Sequence, residues 1–185
     1  MSSPSQLPRL TIITVCLNAE DTLLRTLSSV GEQLYPNIEY ILCDGGSIDH
    51  TEIVYETWKA SLPVYVVSGN SNIKSVHWFR QGSSGIYAAM NEAMALASGE
   101  VVVFLHANDA FANEAVCVNA MGALRSLGEL DAVYGDVRVD AQQWWKRRYI
   151  ASRWWRPWML NWGFMSPQPG SFFSGNGFSR GWTFS

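Results

Sequence analysis

The sequence predicts an α/β fold with a mostly parallel sheet, and three observations predict it. Short apolar, β-rich runs alternate with segments of helical period over the first 140 residues. The runs are nearly continuously apolar, as strands covered on both faces are. Polar clusters follow three of the runs directly, at the strand ends where such sheets bind ligands.

Leu10 to Leu17 is the first of these strands. Asn18 after it is read as a helix cap, with Glu20 and Asp21 complementing the helix start. Leu23, Leu24, Leu27, Val30 and Leu34 then share one helical face, and Tyr35-Pro36-Asn37 ends the helix. Ile38 to Cys43 is the second strand, followed by the turn Asp44-Gly45-Gly46-Ser47. Asp49 is placed to cap the next helix, with Glu52 at capping-box spacing. Pro63 to Ser68 reads as the third strand, and the polar, Gly/Ser/Asn-rich stretch from Gly69 to Ser84 as loop. Ile86, Met90, Ala93, Met94 and Ala97 mark a further helical face that Gly99 stops. Glu100 to Leu105 is the fourth strand, with His106-Ala107-Asn108-Asp109 at its carboxyl end. Val116, Ala120, Ala123, Leu124 and Leu127 mark another helix, and Asp131 to Val139 holds one or two short strands.

The bulk numbers fit one domain. The chain has 185 residues, 48% hydrophobic and 16% charged, which excludes a disordered, collagen-like or low-complexity chain. A net charge of -3 argues against nucleic-acid binding, which needs a basic footprint. That charge is unevenly placed. Lys146, Arg147, Arg148, Arg153 and Arg156 give the stretch from Trp144 to Gly163 a charge of +5, leaving -8 elsewhere, and six of the nine tryptophans lie in it. Cys16, Cys43 and Cys117 are odd in number and widely spaced, two of them inside apolar runs, so buried thiols are expected. His50, His77 and His106 make no zinc pattern. The longest strongly apolar run, Val101 to Leu105, is far too short to span a membrane, and MSSPSQLPRL does not read as a signal peptide. A cytoplasmic protein is expected.

The clusters suggest chemistry. Asn18-Ala19-Glu20, Asp44-Gly45-Gly46-Ser47 and His106-Ala107-Asn108-Asp109 all fall on the carboxyl edge of the sheet. Each singly is a turn or a cap. Three at successive strand ends indicate a pocket. A carboxylate in the second turn can accept from a base or from ribose hydroxyls, and the flanking glycines admit a ligand close to the backbone. Asp109 is placed to bind a hard divalent cation that bridges two phosphates. Neither G-x-G-x-x-G nor G-x-x-x-x-G-K-S/T occurs, which disfavours a dinucleotide enzyme or an NTPase.

The runs TIITVCLNAEDTLLRTLSSVGEQLYPNIEYILCDGGSIDHT, GIYAAMNEAMALASGEVVVFLHANDAF and DAVYGDV resemble, in order, family 2 glycosyltransferases of the GT-A fold. Within that family they look like bacterial enzymes of polysaccharide, capsule or lipopolysaccharide assembly. The resemblance covers about residues 9–140. It implies a Rossmann-like three-layer α/β/α sandwich with a mostly parallel mixed sheet. It also implies inverting, metal-assisted transfer of a sugar from a UDP- or GDP-sugar to a glycan or lipid-linked acceptor, through Mg2+ or Mn2+. By that resemblance Thr14, Val15, Leu17 and Glu20 line the base and ribose pocket, Asp44 bonds the base with Ser47 nearby, and Gly85, Ala89 and Asn91 border the donor. Asn108 and Asp109 stand at the D-x-D-type motif, with Asp109 holding the metal.

The pattern also breaks in places. Asn108 replaces an acidic residue, Ala88 stands where relatives have Asp, and Ser83-Ser84 replace an Asp-Lys or Asp-Arg pair. Gln168 stands at a His position on the acceptor side, where Trp154 and Trp155 are further candidates. No carboxylate follows Asp140, so the family's general base has no counterpart, and a truncated or frameshifted end is expected. The chain is expected to divide into a nucleotide-sugar-binding core over residues 1–140 and a Trp/Arg-rich acceptor-side or membrane-contacting segment over residues 141–185. That segment suits peripheral attachment at the inner face of the plasma membrane. Acceptor binding by stacked indoles and self-association are the other readings. The competing function is a catalytically inactive glycosyltransferase-like interaction module; a nucleotidyltransferase is a third.

Overall fold

Leu10–Cys16 (β1) and Ile38–Asp44 (β2) are buried at every residue, as central parallel strands with near-continuous apolar runs must be. They belong to a computed structural model that describes residues 7–62, 72–82, 85–126, 131–139, 148–150 and 170–174. Ile73–Arg80 (β3), Val101–Phe104 (β4), Ala132–Tyr134 (β5) and Ser171–Ser174 complete a six-stranded sheet. Val137–Val139 (β6) and Arg148–Ile150 (β7) form a separate antiparallel pair, so Ser171–Ser174 is β8. The sheet order is β3-β2-β1-β4-β8-β5. Strands β1 to β4 run parallel, and β8 lies antiparallel to both β4 and β5.

Helices cover both faces. Leu23–Gly31 (α1), Thr51–Ser61 (α2) and Val116–Ser126 pack with Ile12, Tyr40, Leu42 and Val103 on one side. Ile86–Leu96 (α3) packs Ala89, Met90 and Ala93 against Ile13, Ile41 and Phe104 on the other, which makes Val116–Ser126 α4. Alternate residues of each strand face opposite helix layers, so every β1 side chain is covered. This is the three-layer sandwich with a mostly parallel mixed sheet. Aromatic packing fills one layer: Tyr40 meets Trp58 edge-on at 5.6 Å between ring centroids, and Tyr55 stacks on Trp78 at 4.6 Å.

Several expectations are corrected. The expected loop between Gly69 and Ser84 contains β3, which pairs with β2 from Ile38↔Ile73 to Asp44↔Arg80. An edge strand tolerates polar residues, because half of its surface meets solvent. The strand expected at Pro63 to Ser68 lies outside the described residues. Asn18 does not cap α1: the helix begins at Leu23, with Thr22 at its N-cap. Asp49 does accept the Thr51 N–H at 3.0 Å, but Glu52 turns to Arg80 instead of closing a capping box. The sheet also takes in a strand from beyond residue 140, since β8 lies between β4 and β5. Cys16, Cys43 and Cys117 are buried and free; burial pushes the Cys16 and Cys43 thiols up to about 12. No helix among the described residues is long and apolar enough to cross a membrane.

The amino end of the sheet is held by a buried carboxylate. Glu39 is 3% exposed, and its oxygens accept from the Thr11 hydroxyl at 2.6 Å and from the Ser98 N–H and hydroxyl at 2.8 and 2.7 Å. Burial alone would raise its pKa, but these hydrogen bonds outweigh burial and hold it below its ordinary 4.5. A depressed folded pKa contributes stability above about 4.5 that is lost as pH falls through the folded value. Glu39→Gln is therefore expected to cost about 1–2 kcal/mol at pH 7. It should also flatten the acid limb of a thermal-unfolding series between about pH 3 and 6.

Candidate functional site

Strand order reverses direction at β1: β2 and β3 lie on one side of it and β4 on the other. The crevice above the carboxyl ends of β1 and β4 is thus the switch point, where open α/β sheets bind ligands. The three polar clusters lie along that edge.

The β1–α1 and β2–α2 loops are bonded to each other residue by residue. Ser47 Oγ accepts the Asn18 N–H at 2.8 Å, and Asn18 Oδ1 accepts the Ile48 N–H at 3.0 Å. Thr51 Oγ1 accepts the Ala19 N–H at 2.8 Å, and Asp49 Oδ2 accepts the Glu20 N–H at 3.1 Å. Glu20 Oε2 in turn accepts from the His50 N–H and meets His50 Nδ1 at 2.7 Å, which holds the Glu20 carboxyl below its usual range. Asn18 is the hinge of this arrangement, with φ of +49°.

Asp44 is wholly buried. Its carboxylate accepts both the N–H and the hydroxyl of Ser47, and Arg80 Nε lies 3.7 Å from Oδ2. Gly46 beside it is exposed, has φ of +93°, and has open space where a Cβ would stand. Leu17 and Ile48 are 60% and 93% exposed, so two aliphatic side chains project from the loops that flank Gly45 and Gly46.

The β4–α4 loop forms the other wall. The Leu105 N–H reaches Ile13 O at 2.9 Å, so the loop leaves the sheet directly beside β1. Asn108 is exposed with φ of +102°, an unfavourable backbone for a side-chain-bearing residue. Asp109 is half-buried, and burial raises its carboxyl above the ordinary value, only partly offset by His106 and Arg25. Among the described residues no hydrogen bond or ion pair reaches that carboxylate. A half-buried carboxylate whose burial is only partly offset is chemistry that suits a hard divalent cation. No cluster of three or more His, Cys, Asp or Glu suitable for a metal occurs among the described residues, so the remaining ligands would come from outside that set.

The remaining expected residues divide. Gly85, with φ of +101°, opens α3 at an exposed position, and Asn91 lies half-buried on that helix. Gln81 links Gly85 to the glycine turn: its N–H donates to Asp44 O at 2.9 Å and its Nε2 to Gly85 O at 3.3 Å. Thr14, Val15 and Ala89 do not line the crevice with their side chains. Thr14 is wholly buried, with its hydroxyl donating to Leu105 O and accepting from Tyr40. Val15 and Ala89 pack in the core between β1 and α3. These three support the crevice from below. Trp154, Trp155 and Gln168 lie outside the described residues.

Sequence reasoning missed the groups that hold the β4–α4 loop, all of them on α1 or just beyond it. Thr26 Oγ1 accepts the Asn108 N–H at 3.2 Å and donates to Asp109 O at 2.7 Å. Ser29 Oγ accepts the Phe111 N–H at 3.2 Å. Gln33 donates to Asn113 O at 2.8 Å and accepts the Cys117 N–H at 3.0 Å. The available signal was polar residues at positions 26, 29 and 33, a helical spacing beside Leu23, Leu27 and Val30, which point inward.

A model of the family described as glycosyl transferase family 2 matches residues 11–179. An uncharacterized glycosyltransferase of Mycobacterium tuberculosis is 34% identical over 129 residues, covering 69% of this chain and 44% of that protein. A PGL/p-HBAD biosynthesis glycosyltransferase of Mycobacterium bovis is 29% identical over 130 residues, covering 70% and 47%. The chain thus spans about half the length of the curated relatives it matches. Among solved structures, the mannosyltransferase PcManGT from Pyrobaculum calidifontis, in complex with GDP-Man and Mn2+, superposes with a TM-score of 0.67 at 19% identity. That match covers 98% of this chain and 49% of the other. S. aureus TarS residues 1–349 in complex with UDP-GlcNAc gives 0.55 at 20% identity, over 67% and 33%. At such identities the superpositions establish a shared fold.

Proposed function

Because this chain belongs to glycosyl transferase family 2, we propose that the crevice between β1, β2 and β4 binds a nucleoside diphosphate sugar, either a UDP- or a GDP-sugar. The sugar is transferred with inversion to a glycan or lipid-linked acceptor. The observation that carries this reading is the half-buried Asp109 carboxylate, which no hydrogen bond or ion pair reaches among the described residues, at the same sheet edge as the open glycine turn and beside the switch point. The nucleotide-sugar complexes of the two solved neighbours support the donor class.

Each group has a task in this reading. The exposed backbone at Gly46 lets a flat base approach without meeting a side chain, and Leu17 and Ile48 give it apolar flanks. Asp44, fixed by Ser47 and Arg80, sets the shape and charge of that turn. The exposed Asn108 side chain is available to accept from a ribose hydroxyl. Asp109 would hold a divalent cation, Mg2+ or Mn2+, whose chemistry is to neutralise the departing diphosphate. Trp154, Trp155 and Gln168 are proposed for the acceptor side, and the Trp/Arg-rich stretch around them for contact with a membrane surface.

Calorimetric titration tests the donor reading. UDP or GDP in the presence of Mn2+ is expected to give saturable heat that disappears in EDTA. Silence with both nucleotides at millimolar concentration would sink it.

A further inference from the structure

We propose that Thr26 of α1 is a positioning residue that presents Asp109 to the donor's cation; this rests on the donor-site reading above. Asn108 holds a backbone conformation that a residue with a Cβ adopts only when its surroundings enforce it. Thr26 supplies that enforcement with one atom. Its hydroxyl oxygen accepts the Asn108 N–H at 3.2 Å while its proton goes to the Asp109 carbonyl at 2.7 Å. The two backbone groups on either side of the Asn108–Asp109 peptide are thus tied to a single point on a helix.

That point is buried in the core. Thr26 is wholly buried, and α1 buries Leu23, Leu27 and Val30 around it. The Thr26 carbonyl in turn accepts the Ser29 hydroxyl, and Ser29 holds Phe111 N–H, so the loop is secured again two residues past Asp109. A buried hydroxyl that bridges a donor and an acceptor satisfies both at once, and its loss leaves both without that partner. The Asp109 carboxylate itself receives no hydrogen bond among the described residues, so its direction is set by the backbone that carries it. Groups that orient a metal-binding carboxylate without touching the metal commonly matter 10–100-fold in metal affinity.

The test compares three variants of the full chain. Thr26→Val keeps the shape and removes the hydroxyl, and Thr26→Ser restores it. Thr11→Val is the control. Thr11 is an equally buried threonine that bridges Glu39 and the Gly99 N–H in the same way, at the opposite end of the sheet. Mn2+ retention with saturating UDP or GDP is read by electron paramagnetic resonance, alongside thermal unfolding. Both valine variants are expected to lose similar stability. Only Thr26→Val should weaken Mn2+ retention, by roughly 10-fold or more, with Thr26→Ser close to wild type. A Thr26→Val protein that retains Mn2+ within about two-fold of the Thr11→Val control overturns the inference and leaves the donor reading standing. A wild-type chain that retains no Mn2+ with either nucleotide overturns the donor reading, and this inference falls with it.

Discussion

Asp109→Ala is expected to abolish Mn2+-dependent nucleotide binding, a loss of roughly 100-fold or more, while leaving the fold intact. The two halves of that expectation have one cause. Asp109 sits half-buried with its carboxyl raised by burial, and neither His106 nor Arg25 restores the balance. A carboxyl whose folded pKa lies above its unfolded value destabilises the fold as pH rises through that interval, and the penalty is complete above the folded value. Removing the charge relieves the penalty. Asp109→Asn, which preserves the side chain's shape, should therefore melt no lower than wild type at pH 7 and lose its advantage below about pH 4, near the ordinary carboxylate value. Calorimetry with UDP or GDP and Mn2+, paired with thermal unfolding at both pH values, measures each half. A variant that still binds nucleotide in a metal-dependent way removes Asp109 from the site. A variant that melts well below wild type makes Asp109 a structural residue.

Gly99→Ala is expected to be the most damaging single methyl group in the described core. A Cβ at Gly99 would stand 2.4 Å from Thr11 Oγ1 and 2.8 Å from both Arg9 O and Thr11 N. Two of those three atoms are backbone of the central strand region and cannot swing aside. Gly99 has no positive φ, so close approach alone requires glycine here, and the helix-stop role expected for it falls to Ala97, the α3 C-cap. Its N–H also donates to Thr11 Oγ1 at 2.9 Å, and that hydroxyl donates onward to Glu39. Steric displacement and disruption of that chain together amount to about 3 kcal/mol. For a chain of this size that corresponds to a fall in Tm of about 6–12 °C. Nucleotide affinity, measured below the transition, should hold, because the damage lies at the opposite end of the sheet. A Tm within about 2 °C of wild type would show that β1 yields more easily than its burial implies.

Legibility in the sequence followed burial. β1, β2 and β4 were readable because a strand covered on both faces is built mostly from apolar and β-branched residues, so LTIITVC and VVVF announce themselves. β3 was not. IKSVHWFR lies at the sheet edge with half its surface toward solvent, and its lysine, serine, histidine and arginine read as loop. The placement of β8 was equally hidden, because nothing local in SFFS says that it returns antiparallel between β4 and β5.

The sequence by itself determined the layered α/β architecture, the burial of the cysteines, and the fact that three polar clusters end three strands. Hydrophobic periodicity and strand-end position are local properties, so they can be counted along a chain. Tertiary structure alone decided what each polar residue does. Asp44 and Asp109 are both aspartates at strand ends, yet one is closed in by Ser47 and Arg80 and the other's carboxylate receives no hydrogen bond among the described residues. Thr14 and Thr26 are both buried threonines, yet one braces the core beneath Leu105 and the other holds the Asn108–Asp109 peptide across 82 positions of sequence. A polar side chain's role is set by the groups that satisfy it, and those arrive only when the chain has folded.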